Sequence, residues 1–138
     1  MAMQFKIITP MRTALEAEVT SIRLPACTGE MEVLPGHAAI ITSVANGELT
    51  YTSPGQVPQS LFVGGGFLQV EKDDVLLVTD TALTVDEIDT HSVEQALERA
   101  QAAFRDSASV LDREEQAKLE AAIAKQIAIL DFRKKRRI

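Results

Sequence analysis

Side chains able to do chemistry are few in this sequence, and their spacing does not bring them together. His37 and His91 lie far apart, and no group of Cys, His, Asp or Glu has the close spacing that holds a metal ion. Cys27 is the only cysteine, so an internal disulfide is excluded. A reducing compartment is expected, with the thiol acting as a small buried hydrophobe. No base stands near it in a pattern that would activate a nucleophile. Gly64, Gly65 and Gly66 could cradle a phosphate only if they led from a strand into a helix carrying Lys-Ser or Lys-Thr. They lead instead into residues 67–71, which alternate as a strand does, so a tight turn or bulge is expected there. The acidic residues are scattered and form no recognisable carboxylate pair. No catalytic residue, metal ligand or cofactor is expected, and the chain reads as a non-enzyme.

One charged feature stands out. Arg133, Lys134, Lys135, Arg136 and Arg137 form an unbroken basic run, where cations suit the negative end of a helix dipole. The run is either a solvated helix end or a docking element for nucleic acid, a membrane surface or an acidic protein. Nucleic acid fits least well. Residues 1–89 carry 4 Lys/Arg against 12 Asp/Glu, and the chain has only five Phe, one Tyr and no Trp.

The elements that must position these residues fall into two classes. All seven glycines and five prolines precede residue 67. The first part therefore reads as short strands cut by turns, and the part from His91 onward as helix. Phe5, Ile7 and Thr9 alternate with Lys6, Ile8 and Pro10, and Leu15, Ala17 and Val19 share one face. Pro25 interrupts the pattern. Further strands are expected at 31–34, 38–43, 48–52, 59–63, 67–71, 75–79 and 82–85, separated by Pro-Gly, Asn-Gly, Gly-Gly-Gly and Asp-Asp turns. Many short strands with no helix between them favour an antiparallel β-sandwich or barrel. Beyond it, Val93, Leu97, Ala100, Phe104, Ala108 and Leu111 stripe a first helix, opened by Asp89, Thr90 or Ser92. After a break at 107–111, Asp112 and Glu115 form a capping-box pattern before a second stripe of Leu119, Ile123, Ile127 and Leu130. The expected organisation is an antiparallel β-sandwich of about ten strands over residues 1–88, followed by a helical hairpin over 89–138. Alanine-rich stripes offer little apolar area, so the hairpin should be weakly held. No apolar run spans a bilayer, residues 1–10 lack the pattern of a secretion signal, and a soluble protein is expected.

The stretch Gly29-Glu30-Met31-Glu32-Val33-Leu34-Pro35-Gly36-His37-Ala38 resembles the hallmark of the epsilon subunit of F-type ATP synthases, Gly-Glu-x-Gly-Val-Leu-Pro-x-His-Ala. Residues 5–10 (Phe-Lys-Ile-Ile-Thr-Pro) resemble that family's opening strand. Residues 65–70 (Gly-Gly-Phe-Leu-Gln-Val) resemble its Gly-Gly-Phe-x-Glu-Val strand, and the hairpin closes the chain in the same order. The resemblance implies a rotor component without catalysis of its own, peripheral on the cytoplasmic face of the bacterial plasma membrane. Its implied partners are the gamma shaft, the membrane ring of rotor subunits, and the catalytic beta and alpha subunits. By residue match, Gly29 and Glu30 would face the ring and His37 would lie near gamma. Glu32 stands where the family has glycine, and a positive φ at that position would strain it.

The resemblance also implies a hairpin that either folds against the sandwich or extends along gamma and restrains ATP hydrolysis. Lys118, Lys125 and Arg133–Arg137 are then the candidates for meeting acidic residues of the catalytic subunit. Some relatives bind ATP through Ile-Asp-x-x-Arg-Ala at the start of the first helix. Here Ile88 and Asp89 are kept while Ser92 replaces the arginine, so Asp89 is a weak candidate that reads more simply as a helix cap. The rival reading is a free-standing β-sandwich module whose basic tail recruits an acidic partner.

Overall fold

The structure, a computed structural model, describes residues 2–36, 38–107 and 112–136. The chain divides into two compact units, Met1–Thr84 and Val85–Ile138.

The first unit is built from ten strands: β1 (Met3–Ile8), β2 (Thr13–Val19), β3 (Ser21–Ala26), β4 (Gly29–Val33), β5 (Ile40–Val44), β6 (Gly47–Thr52), β7 (Gln59–Val63), β8 (Gly66–Glu71), β9 (Asp74–Thr79) and β10 (Ala82–Leu83). They hydrogen-bond in the order β10-β7-β6-β3-β5-β8-β9-β1-β2, with β4 attached to β3. The pattern curls around one core, as a sandwich close to a barrel. Period-two alternation supplies that core: Phe5 and Ile7 of β1, Leu68 and Val70 of β8, and Val75 and Leu77 of β9 are buried, while their neighbours face outward. Leu15, Ala17 and Val19 join them from β2, as their shared face requires, with Phe5 opposite Ala17 and Ile7 opposite Leu15. The Phe5 ring meets Tyr51 edge-on, its centroid 6.3 Å away and its plane inclined 65°.

Three features depart from the sequence reading. First, one pairing is parallel: β1 lies between β2 and β9, and Gln4 to Ile8 run alongside Asp74 to Val78. All the intervening strands form the long connection that a parallel pair needs.

Second, Pro25 does not end a strand. Residues 21–23 of β3 pair with β6, and Ala26 pairs with Val44 of β5. Pro25 lies where one neighbour gives way to the other. Its carbonyl accepts from the Ala45 N–H at 2.8 Å, and the missing N–H falls in the gap.

Third, Cys27 is exposed rather than buried. It occupies the two-residue turn between Ala26 and Gly29, where no side chain points into the core.

The glycine triplet is a tight connection, as expected. A Cβ at Gly66 would collide with the Val78 carbonyl and crowd the Thr79 backbone. Thr79, the one buried polar side chain among the described residues, donates its hydroxyl to the Gly64 carbonyl at 2.9 Å and receives the Thr81 N–H at 3.3 Å.

The second unit contains a 3-10 turn (Val85–Glu87) and helices α1 (Thr90–Ser107) and α2 (Arg113–Arg136), which pack against each other. Asp89 Oδ1 accepts from the N–H groups of His91 (3.1 Å) and Ser92 (3.3 Å), and Asp112 Oδ1 accepts from the Glu115 N–H at 2.8 Å. Both expected caps are therefore in place. Val93, Leu97, Ala100 and Phe104 of the first stripe are half-buried, while Ala108 and Leu111 lie outside the described residues. The second stripe is displaced. Ile127 is 42% exposed, whereas Ile129 and Phe132 are 4% and 3% exposed. The apolar residues of α2 are spread around the helix rather than gathered into one stripe, so spacing alone could not select the covered face.

Replacing Gly66 by alanine should destabilise the β unit by roughly 2 kcal/mol or more, because the obstacle is backbone that cannot rotate away. A urea unfolding midpoint equal to that of the unchanged chain would contradict this account of the β8–β9 approach.

Candidate functional site

The matched loop begins as a β-hairpin tip. β3 and β4 close between Ala26 and Gly29, and Gly29 has φ 131°, a value that side-chain-bearing residues rarely adopt. Cys27, Thr28, Gly29 and Glu30 are all exposed. Glu32 sits in ordinary extended backbone with no positive φ, so the strain considered for it is absent. It lies directly across from Arg23, whose guanidinium reaches Glu32 at 3.8 Å and Glu30 at 3.7 Å. These exposed contacts are each worth about 0–1 kcal/mol. They bias the carboxylates toward Arg23 and add little to the stability of the fold. After β4 the chain continues through exposed Leu34 and through Gly36, with φ 83°. His37 lies outside the described residues.

A second surface escaped the sequence reading. Strands β5, β8, β9 and β1 turn their outer faces the same way, and the register aligns Ser43, Phe67, Val78 and Ile8 in one row. Ile41, Gln69, Leu76 and Lys6 form the next. Phe67 is 55% and Ile41 72% exposed. Outward apolar residues at 8, 41, 67, 76 and 78 were visible in the alternation, but only strand order shows that they adjoin. An open recess of about 480 Å³ continues this face, lined by Lys6, Ile8, Glu16, Gln69, Asp74 and Leu76 among others. It contains no histidine, cysteine or serine, so it offers an uneven mixed surface rather than a nucleophile with its base. Among the described residues no group of three His, Cys, Asp or Glu could hold a metal ion. No helix among them is long and apolar enough to cross a membrane.

The basic candidates do not act as one block. Lys118, Lys134 and Lys135 are exposed, and Lys125 is half-buried. Arg136 is the last residue of α2, and Arg137 lies outside the described residues. Arg133 is half-buried and turned back onto its own unit. Its Nη1 donates to the Val85 carbonyl at 3.2 Å and its Nε to the Thr90 hydroxyl at 3.4 Å. Asp89 serves as the α1 cap, and Ser92 contributes its backbone N–H to that cap. The exposed Ser92 side chain supplies no guanidinium fork.

The sequence profile described as the beta-sandwich domain of the ATP synthase delta/epsilon chain matches residues 2–85. The ATP synthase epsilon chain of Moorella thermoacetica is 36% identical over 129 residues, covering 94% of each chain. That of Geobacter sulfurreducens is 41% identical over 99 residues, covering 72% of this chain and 71% of its own. In fold, the chain resembles a component of the Euglena gracilis mitochondrial ATP synthase solved as OSCP/F1/c-ring, with a TM-score of 0.74 and 24% identity. That match covers 94% of this chain and 80% of the other. A component of the Tetrahymena thermophila mitochondrial ATP synthase central stalk/c-ring is similar at a TM-score of 0.64 and 11% identity, covering 95% and 96%. The sandwich, the helical hairpin and the hallmark loop therefore have one explanation: the chain belongs to the family of ATP synthase epsilon chains.

Proposed function

We propose that this chain is a non-catalytic central-stalk subunit of a membrane-bound ATP synthase, linking rotation of the membrane ring to the gamma shaft and restraining ATP hydrolysis through its hairpin. Family membership carries the reading, and it leaves no need for a free-standing binding module. Each surface has chemistry suited to one part of this role. The Gly29–Glu30 tip, with carboxylates steered by Arg23, suits the polar loops of a ring. The exposed Phe67 and Ile41, with half-buried Ile8, Leu76 and Val78 beside them, suit burial against gamma, since neighbouring exposed apolar side chains are characteristic of a docking face. The helices, half-buried along α1 and rich in alanine, have the thin packing expected of an element with two arrangements. Lys118, Lys134 and Lys135, with Arg136 and Arg137, provide the cations for an acidic segment of the catalytic head. Peripheral association with the cytoplasmic face of a bacterial membrane follows from the same role.

Three outcomes test this. Phe67→Glu should weaken binding to gamma about tenfold or more, because it places a charge in the apolar row. Because its side chain is outward, the circular dichroism should stay unchanged, and undiminished gamma binding in calorimetry would remove this face from the interface.

Replacing Lys134, Lys135, Arg136 and Arg137 together by glutamine should raise ATP hydrolysis by the reconstituted head several-fold at low salt. The gain should shrink as salt screens the unchanged chain's own contact. Equal hydrolysis rates at low salt would assign inhibition elsewhere.

ATP should bind the unmodified chain no better than millimolar in calorimetry, and Ser92→Arg should tighten it by supplying a charge-assisted donor. Micromolar binding to the unmodified chain would show that Asp89 serves a nucleotide despite its capping role.

A further inference from the structure

The α1–α2 hairpin has one end closed by the chain itself, between Ser107 and Arg113, and one end that only noncovalent contacts can close. At that open end three groups converge in sequence terms on the unit's two extremities: the 3-10 turn Val85–Glu87, the first residue of α1, and the last turns of α2. Among the described residues of the unit, the buried positions lie beside them: Ile88 between the 3-10 turn and α1, and Ile129 and Phe132 in the last turns of α2. Along the rest of α1 the stripe is only half-buried. Arg133 crosses the open end, with Nη1 on the Val85 carbonyl and Nε on the Thr90 hydroxyl.

We propose that Arg133 is a clasp that sets how often the hairpin opens, and that its contacts to Val85 and Thr90, rather than its charge alone, do this. Three physical points support the assignment. A hairpin tethered at one end separates first at the other, so contacts at the open end control the first step more than equal contacts near the connection. Arginine holds several donors in one rigid plane, so a single side chain bonds two acceptors at once with little added loss of freedom. Both acceptors are uncharged and part-buried, so the bonds depend on placement and are less sensitive to salt than ion pairs between exposed charges. Arg133 is thereby separated from the rest of the basic run. While the hairpin is closed it is engaged within the unit, and opening releases it as one more cation beside Lys134 and Lys135.

The proposal rests on the hairpin being the moving element of the function given above. Its test uses the isolated full chain, so the two can fail separately. Hydrogen exchange is measured on Arg133→Gln, Arg133→Lys, Thr90→Val and, as a charge-matched control, Lys134→Gln. Losing two bonds from a charged donor should speed exchange of amides in residues 85–93 and 126–133 about tenfold. The strands β8 and β9 should stay as protected as before. Arg133→Lys should recover only part of the protection, because an ammonium lacks the fork, and Lys134→Gln should change nothing. Exchange in Arg133→Gln equal to that of the unchanged chain would overturn the proposal. So would an equal rise in Lys134→Gln, which would reduce the effect to charge. If Arg133→Gln loses its helical circular dichroism outright, the milder Thr90→Val variant decides: a several-fold rise supports the clasp, and no rise refutes it. Faster exchange in Arg133→Gln, together with no restraint of hydrolysis by the unchanged chain, would leave the clasp standing and remove the inhibitory role.

Discussion

The β unit depends on the close approach between Gly66 and the strand carrying Val78 and Thr79. Only hydrogen can occupy the space that a side chain at Gly66 would need, so the turn from β7 enters β8 without pushing it from β9. Thr79 uses that proximity. Its hydroxyl is buried where an unpaired polar group would be costly, and the Gly64 carbonyl resolves the problem at 2.9 Å. With β8 and β9 registered from Gly66 opposite Thr79 to Glu71 opposite Asp74, the outer rows around Phe67 and Gln69 are aligned as well. The same short contact that completes the core therefore determines which apolar side chains adjoin on the surface.

The second unit is organised differently. Its helices start with well-formed caps at Asp89 and Asp112, so each helix has a defined beginning. Its apolar contacts are modest and weighted toward one end. Caps preserve helices whatever they pack against, and weak packing lets helices exchange neighbours; together these properties suit an element that moves as intact rods.

Much of this was legible in the sequence because it depends on local rules. Alternation located most strands, the glycine triplet marked a tight connection, and Asp89 and Asp112 announced helix starts. What stayed hidden depends on partners distant in the chain. Pro25 read as a break because its tolerance comes from a change of neighbours between β6 and β5. Cys27 read as buried because composition cannot show that it falls at a turn between paired strands. Ile127 and Ile129 are hard to separate by periodicity on a helix whose apolar residues are not gathered into one stripe. Arg133 looked like a member of a basic run because nothing local indicates that Val85 and Thr90, more than forty residues earlier, supply its acceptors. Of the hallmark loop, Gly29 and Glu30 lie at an exposed hairpin tip, and Glu32 proved to be an ordinary strand residue.

The placement of β1 has a consequence for how such a chain is made. During synthesis, β1 and β2 can pair as soon as they leave the ribosome, since they are neighbours in sequence. The other edge of β1 must then wait, its N–H and C=O groups unpaired, until residues 74–78 emerge to lie parallel to it. The sheet cannot close vectorially from its beginning. Its first strand is completed nearly last, so the β unit becomes a finished surface for assembly only after translation has entered the helical segment. Closure over so long a span also makes the β unit a slower folder than the local hairpin that follows it.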